Sequence, residues 1–310
     1  MKISVVTAVY NGGDFVRDSI ESILKQTQAN FEYIIVNDGS TDETKDILEQ
    51  IADTRVKIIH QEKNQGAAKC LQLAIERASG NLIAIQDADD ISLPNRLEKQ
   101  AAFLINNPEY GLIGSYIQCV YQQKDLQRRA QFTERLINST RPQDFYGSSY
   151  CHGTFMFSKE IYQLIGGYST KYKIAYDYDL LQRFRFVTKI GKIPEVLYGY
   201  RLHAASLSNQ DIEETNAESL EISINGIVEL TKKVNSHQKF LIIGTDAARY
   251  KFKEMIEPKL HGEFQYAAPI LNESLKNYHI IILDHRGSNK FTQELNQKGF
   301  HFFKVWCSFH

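Results

Sequence analysis

The sequence predicts an α/β protein: a mostly parallel sheet flanked by helices, followed by a second and smaller α/β unit. Three observations predict it. Over about the first ninety residues, continuous apolar and β-branched runs alternate with apolar stripes at helical spacing. That is the pattern of strands covered on both faces and joined by crossover helices. The fourth such run ends in an acidic cluster, Asp87, Asp89 and Asp90, at the strand end where open parallel sheets bind ligands. Strand and helix signals then resume on a smaller scale beyond residue 238.

ISVVTAV (3–9) reads as the first strand, and Val16, Ile20, Ile23 and Leu24 follow at helical spacing. FEYIIVND (31–38) is a second buried strand. Ser40 and Thr41 stand where they can cap the next helix, with Asp42 and Glu43 in its first turn and Ile47, Leu48 and Ile51 on its apolar face. VKIIHQ (56–61) is a third strand. Ala67, Leu71, Ala74, Ile75 and Ala78 form a third helical stripe that stops at Gly80, and NLIAIQ (81–86) is the fourth strand. Ser92 and Pro94 open a helix through Leu97, Ala101 and Leu104, and YGLIGSYIQCVYQ (110–122) is a strand. Residues 124–149 are polar and irregular, read as a loop beside a site.

TFMFSKEIYQLIGGY (154–168) predicts a strand, a short helix and a glycine turn. YDYDLLQRFRFV (176–187) starts a helix, and PEVLYGYRLH (194–203) is a strand leaving the first domain, residues 1–210. An amphipathic linking helix is expected within 211–237. The small domain, 238–310, would hold KFLIIG (239–244), a helix to about 257, YHIIILD (278–284), a helix over FTQELNQ and a last strand HFFKVW (301–306).

Composition narrows the function. The 310 residues are 43% hydrophobic and 24% charged, as in a folded protein. A formal net charge of −1 offers no global field for nucleic acid or an anionic membrane. The four cysteines, Cys70, Cys119, Cys151 and Cys307, make no C-x-x-C pair, which argues against zinc and against a secreted disulfide framework. No run of about 18 apolar residues and no signal-peptide pattern is present, so a cytoplasmic protein is expected.

The chemistry concentrates in AIQDADDISLPNR (84–96). Asp87 and Asp89 are two apart, so in extended backbone both carboxylates point to one side. A hard dication such as Mg²⁺ or Mn²⁺ takes oxygen ligands and can offset their repulsion while holding a diphosphate. The same residues also fit a solvated acidic loop in which Asp90 or Ser92 caps a helix. Asp38-Gly39-Ser40 closes the second strand, Asp177 and Asp179 begin a helix, and YRLHAASLS (200–208) gathers an arginine, a histidine and hydroxyls.

In order and surroundings these pieces resemble the family-2 glycosyltransferases with the GT-A fold: VVTAVYNGGDFVRDSIESILKQT, YIIVNDGSTDET, NQGAAKCLQLAIERASGNLIAIQDADD, the GGY near 167, YDYDLLQRF and YRLHAASLS. The resemblance covers residues 3 to about 208. It implies a metal-dependent, inverting transfer from a nucleotide sugar, usually a UDP-sugar, to a carbohydrate or lipid-linked hydroxyl acceptor in bacterial surface polysaccharide or lipopolysaccharide assembly. Thr7, Val9 and Tyr10 would border the base and Asp38 would accept a hydrogen bond from it. Asp87 would face the ribose, Asp89 the Mn²⁺ or Mg²⁺ ion, and Asp177 would be the general base, with Asp179 its rival. His203 stands where relatives sometimes contact the metal or diphosphate, though beside Arg201 it could equally stabilise a loop. Arg96 could reach a phosphate, or pair with Glu98, Asp90 or Glu62 as surface structure, and His152 is a candidate acceptor contact.

Tyr176 stands where the family pattern has a glutamate, which keeps a degenerate nucleotide-sugar-binding protein among the readings. A sugar nucleotidyltransferase shares the topology but would open with a basic glycine-rich loop, and VYNGGDF has no basic residue before Arg17. KFLIIGTDAAR resembles a dinucleotide fold opening, yet only Gly244 of the three fingerprint glycines is present. The small domain is therefore expected to serve association or substrate presentation, without a cofactor. Peripheral membrane association and homo-oligomerisation stay open.

Overall fold

The computed structural model describes residues 2–13, 15–121, 126–138, 150–203, 211–232, 239–244, 246–255, 257–259, 263–267, 279–283, 297 and 302–305. They fall into two compact units, one within residues 1–206 and the other within 207–310.

The first unit opens with β1 (Ile3–Val9), α1 (Val16–Leu24), β2 (Phe31–Asn37), α2 (Thr44–Glu49), β3 (Val56–His60), α3 (Ala67–Arg77) and β4 (Leu82–Ile85). β1 pairs in parallel with β2 and β4, and β2 with β3, so the carboxyl ends of β1, β2 and β4 share one edge. The two-residue period of the strands divides the core. Val5 and Val9 pack with Val16, Ile20 and Ile23 of α1 on one face, while Val6, Ile34 and Val36 pack with Leu71, Ala74 and Ile75 of α3 on the other. Both faces are covered, which is why these strands read as apolar runs without alternation.

The sheet continues through β5 (Ile91–Ser92), α4 (Arg96–Asn106), β6 (Tyr110–Val120), α5 (Gln127–Ile137), β7 (Met156–Ser158), α6 (Lys159–Leu164), α7 (Tyr176–Arg185) and β8 (Lys189–Arg201). Its strand order is β3-β2-β1-β4-β7-β6-β8-β5. β7 runs antiparallel to β4 and β6, β5 runs antiparallel to β8, and β6 and β8 are parallel. The glycine turn after α6 uses Gly166 and Gly167 at φ 82° and 70°, a region that only glycine enters without strain.

Several expectations are corrected. α2 begins at Thr44 because the preceding residues face elsewhere: Ser40 Oγ accepts from Asn11 N, and the Asp42 carboxylate accepts from Gly13 N and Thr44 N. α4 begins only at Arg96, since Ile91 and Ser92 pair with Gly199 and Tyr198. α3 ends at Arg77. Gly80 instead allows a close approach, for a Cβ there would lie 2.6 Å from Ser4 Oγ. The stretch read as an irregular loop contains α5, whose stripe is only Ala130 and Ile137 beneath a polar sequence. β8 starts at Lys189 and stays within the sheet.

The second unit holds α8 (Ile212–Lys232), β9 (Lys239–Ile243), α9 (Asp246–Met255), β10 (Glu263–Ala267), β11 (His279–Leu283) and β12 (Phe302–Val305). Its strands form a parallel sheet in the order β10-β9-β11-β12. β10 was not expected, because EFQYA offers few apolar residues. The helix expected over FTQELNQ lies, apart from Gln297, outside the described residues. Among the described residues no helix is long and apolar enough to cross a membrane.

Candidate active site

The acidic turn after β4 is folded around one buried amide. The two N–H groups of Gln86 Nε2 are shared among Ser19 Oγ (2.9 Å), Asp90 O (2.9 Å) and Asp87 O (3.1 Å), and its Oε1 accepts from Ser92 Oγ (2.6 Å) and Arg96 Nη1 (3.2 Å). Arg96 is wholly buried. Its guanidinium makes five bonds: Nε to Gln100 Oε1, Nη1 to Gln86 Oε1 and Ser92 Oγ, and Nη2 to the carbonyls of Ile85 and Phe155. A guanidinium has five N–H donors, so none is left for a phosphate. Arg96 is therefore neither a phosphate ligand nor a surface ion-pair partner; it braces the turn from below.

With the backbone so held, the carboxylates separate into two kinds. Asp87 and Asp89 keep side chains one-third exposed. Asp90 turns inward, where its Oδ1 accepts from Arg201 N at 2.7 Å. Burial, with the nearby charges of Asp89 and Asp87, pushes its carboxyl well above the usual range.

Residues distant in sequence close around the turn. His203 Nε2 lies 2.8 Å from Asp89 Oδ2, and its ring packs on Phe15 at 4.7 Å between centroids. Arg201 Nε donates to Asp89 O, and its guanidinium reaches Asp18 and lies over the same Phe15 ring. Tyr198 Oη accepts from Asp87 N at 3.2 Å. On the other flank, His152 Nδ1 is 3.4 Å from Asp87 Oδ1 while its Nε2 meets Tyr168 Oη at 2.8 Å. Burial disfavours protonation of His152, but the Asp87 carboxylate outweighs it and the pKa is raised.

Asp177 stands on the first turn of α7, its Oδ1 accepting from Tyr178 N. Burial raises its pKa; His152 and that N–H oppose the rise, and the charge of Asp87 adds to it. Asp177 thus shares one electrostatic neighbourhood with the acidic turn. Asp179 does not compete for the role of base, because its Oδ2 accepts from both Nε (2.9 Å) and Nη2 (2.6 Å) of Arg183. Tyr176 packs edge-on against His152 and Tyr168, and burial holds its phenol neutral.

At the ends of β1 and β2, the expected base-binding residues differ in reach. Tyr10 is 48% exposed at the sheet edge. Thr7 is wholly buried with its hydroxyl donating to Gln86 O at 2.6 Å, and Val9 belongs to the core. These two shape the floor from beneath, and the expectation that they border the base is corrected accordingly. The Asp38 carboxylate accepts from Gln65 N (2.7 Å) and Gly66 N (2.9 Å), fixing the turn into α3 where Gly66 has φ 94°. Asp38 is only 2% exposed, so although its carboxylate has acceptor positions left, a bond from a base requires this turn to open.

Among the described residues no three His, Cys, Asp or Glu side chains meet as a ready-made cation site. Asp89 and His203 fit one side of such a site: a carboxylate oxygen and an imidazole nitrogen suit Mn²⁺, and phosphate and water oxygens would complete it. Gln86 and Tyr198 were missed by sequence reasoning, and Arg96 was given another role; a glutamine ending a fully apolar strand was the available signal.

The model of the family described as "Glycosyl transferase family 2" matches residues 4–166. An uncharacterised glycosyltransferase of Haemophilus influenzae is 27% identical over 96% of this chain and 97% of its own length. The Escherichia coli protein named UDP-Glc:alpha-D-GlcNAc-diphosphoundecaprenol beta-1,3-glucosyltransferase WfgD is 36% identical over 37% of this chain and 45% of its own. Among solved structures, Staphylococcus aureus TarS 1-349 in complex with UDP-GlcNAc superposes with a TM-score of 0.58 at 19% identity, over 74% of this chain and 67% of that one. That likeness concerns the fold, the mostly parallel GT-A sheet flanked by helices.

Proposed function

The chain belongs to glycosyl transferase family 2, and on that premise we propose that it moves a sugar from a nucleoside diphosphate sugar to a hydroxyl acceptor, with inversion and with Mn²⁺ or Mg²⁺. The observation that carries the reading is the Asp89–His203 contact on one side of Asp87 and the raised-pKa Asp177 in the electrostatic reach of Asp87 on the other. A UDP-sugar is favoured as donor and a lipid-linked hydroxyl as acceptor, in line with the printed name of the E. coli relative, and surface polysaccharide assembly is the setting we assign. In that setting the protein works in the cytoplasm at the inner face of the membrane.

In this mechanism Tyr10 covers the base and Asp38 accepts from it, while Asp87, steadied by His152 and Tyr198, faces the ribose. Asp89 and His203 would hold the cation, which when bound neutralises charge developing on the diphosphate. Asp177 takes the proton from the acceptor hydroxyl. The acceptor oxygen forms its bond to the anomeric carbon from the face opposite the diphosphate, and the bond from that carbon to the phosphate oxygen breaks with its electron pair leaving on the diphosphate. A carboxyl whose pKa is raised by burial is a better proton acceptor for this step than an exposed aspartate.

The test is turnover of a panel of UDP-sugars, with and without acceptor sugars, by the wild type and Asp177→Asn. Transfer by the wild type and a fall of about 10²- to 10⁴-fold in the variant, with UDP binding retained, is expected. Equal rates in the two would remove Asp177 from the mechanism.

A further inference from the structure

α5 lies on the outside of β6 and is held there by its inward side. Ala130 and Ile137 are buried, Glu134 Oε1 accepts from Cys119 N at 2.7 Å, and Asn138 exchanges two bonds with the backbone of Ile117. Glu134 is the only acidic residue of Gln127–Ile137, and it is spent on the sheet. At 100° per residue the opposite side of the helix carries Arg128, Phe132, Arg135 and Leu136. Phe132 is 66% and Leu136 46% exposed, and Arg128, Arg129 and Arg135 are exposed with them. In a chain of net charge −1, this face is both cationic and apolar.

We propose that the outer face of α5 docks on an anionic lipid surface. An aromatic ring and a leucine would enter the headgroup boundary while the arginines meet lipid phosphates, as in interfacial helices. With Glu134 turned to the sheet, no carboxylate of α5 faces outward, so the charge on this face is wholly cationic and complements an anionic surface. The position serves the reaction. Ala130 and Ile137 pack in one cluster with Cys151, Tyr198 and Leu202, the residues beside His152, Asp87 and His203. Lipid bound at α5 would therefore bring the membrane to the flank of the active site, so the purpose of the surface rests on the transfer reading.

Sedimentation of the full chain with vesicles of phosphatidylcholine, with and without phosphatidylglycerol, tests it, without donor or acceptor, so its failure is separate from a failure of transfer. Binding to the anionic vesicles that weakens with salt is expected. Arg128→Gln with Arg135→Gln should weaken it about thirtyfold, and Phe132→Ser should weaken it further, while the circular dichroism of each variant matches the wild type. Three results would overturn the proposal: no binding by the wild type, binding unchanged by the variants, or dimerisation of the wild type that the Phe132→Ser variant abolishes, which would assign the face to a second copy of the chain.

Discussion

His203 and Asp89, 114 residues apart, meet at 2.8 Å between Nε2 and Oδ2. The contact joins the end of β8 to the turn after β4, and Arg201 fastens the same two elements through Asp89 O and Asp90 Oδ1. If the pair holds the cation, His203→Ala should weaken Mn²⁺ affinity in the presence of UDP by about ten- to hundredfold, a loss of the order expected when a metal site loses a supporting partner. Mn²⁺ titration followed by electron paramagnetic resonance reads it, and an unchanged affinity would return His203 to a loop-stabilising role.

Gly153 sits where a side chain has no room. A Cβ there would lie 2.0 Å from Tyr198 Oη and 2.6 Å from Asp87 Oδ2. Gly153→Ala should therefore displace Asp87 or the tyrosine that supports its backbone, lowering kcat/KM for the donor by about a hundredfold, as small misplacements at a reacting centre do. Steady-state kinetics beside a thermal melt separates this from unfolding.

Arg96→Met should lower the free energy of unfolding by about 3 kcal/mol or more, because Gln86, Ser92 and two carbonyls lose partners inside the core. Arg96→Lys should recover little of this, since an ammonium cannot span five acceptor directions. Urea denaturation measures both.

Glu32 supplies a pH dependence away from the site. Its buried carboxylate accepts from Ser4 Oγ, Ser79 N and Ser79 Oγ and pairs with Lys57. Burial alone would raise its pKa, but Lys57 and the serine donors outweigh it and hold the carboxyl far below the usual range. A lowered folded-state pKa means that this stabilisation is present above the unfolded value of about 4.3 and fades as pH falls below it. Wild type should exceed Glu32→Gln in stability at pH 7, and the gap should narrow steadily on acidification below about pH 4. A gap independent of pH would contradict the assignment.

Much of the first unit was legible because its strands are covered on both faces: β1, β2 and β4 could be read from unbroken apolar runs, and the acidic turn followed from where β4 ends. α5 was not legible. Two buried positions, Ala130 and Ile137, are too few to raise a periodic signal, and Glu134 looks like surface charge until Cys119 N is seen to need it. Arg96 misled for a related reason: an arginine one turn after three aspartates looks electrostatic, whereas its partners are two glutamines, a serine and two carbonyls. Nothing in the sequence separates Asp177 from Asp179, because the Arg183 contact that occupies Asp179 exists only in the folded helix.

The acidic turn is the proposed diphosphate and metal site, and calorimetric titration of UDP into the wild type and Asp89→Ala, each with and without Mn²⁺, tests that role most directly. Mn²⁺ should strengthen UDP binding to the wild type, and Asp89→Ala should lose that gain. Binding that is absent, or indifferent to both metal and mutation, would contradict this and leave Asp87 and Asp89 as part of a structural turn held by Gln86 and Arg96.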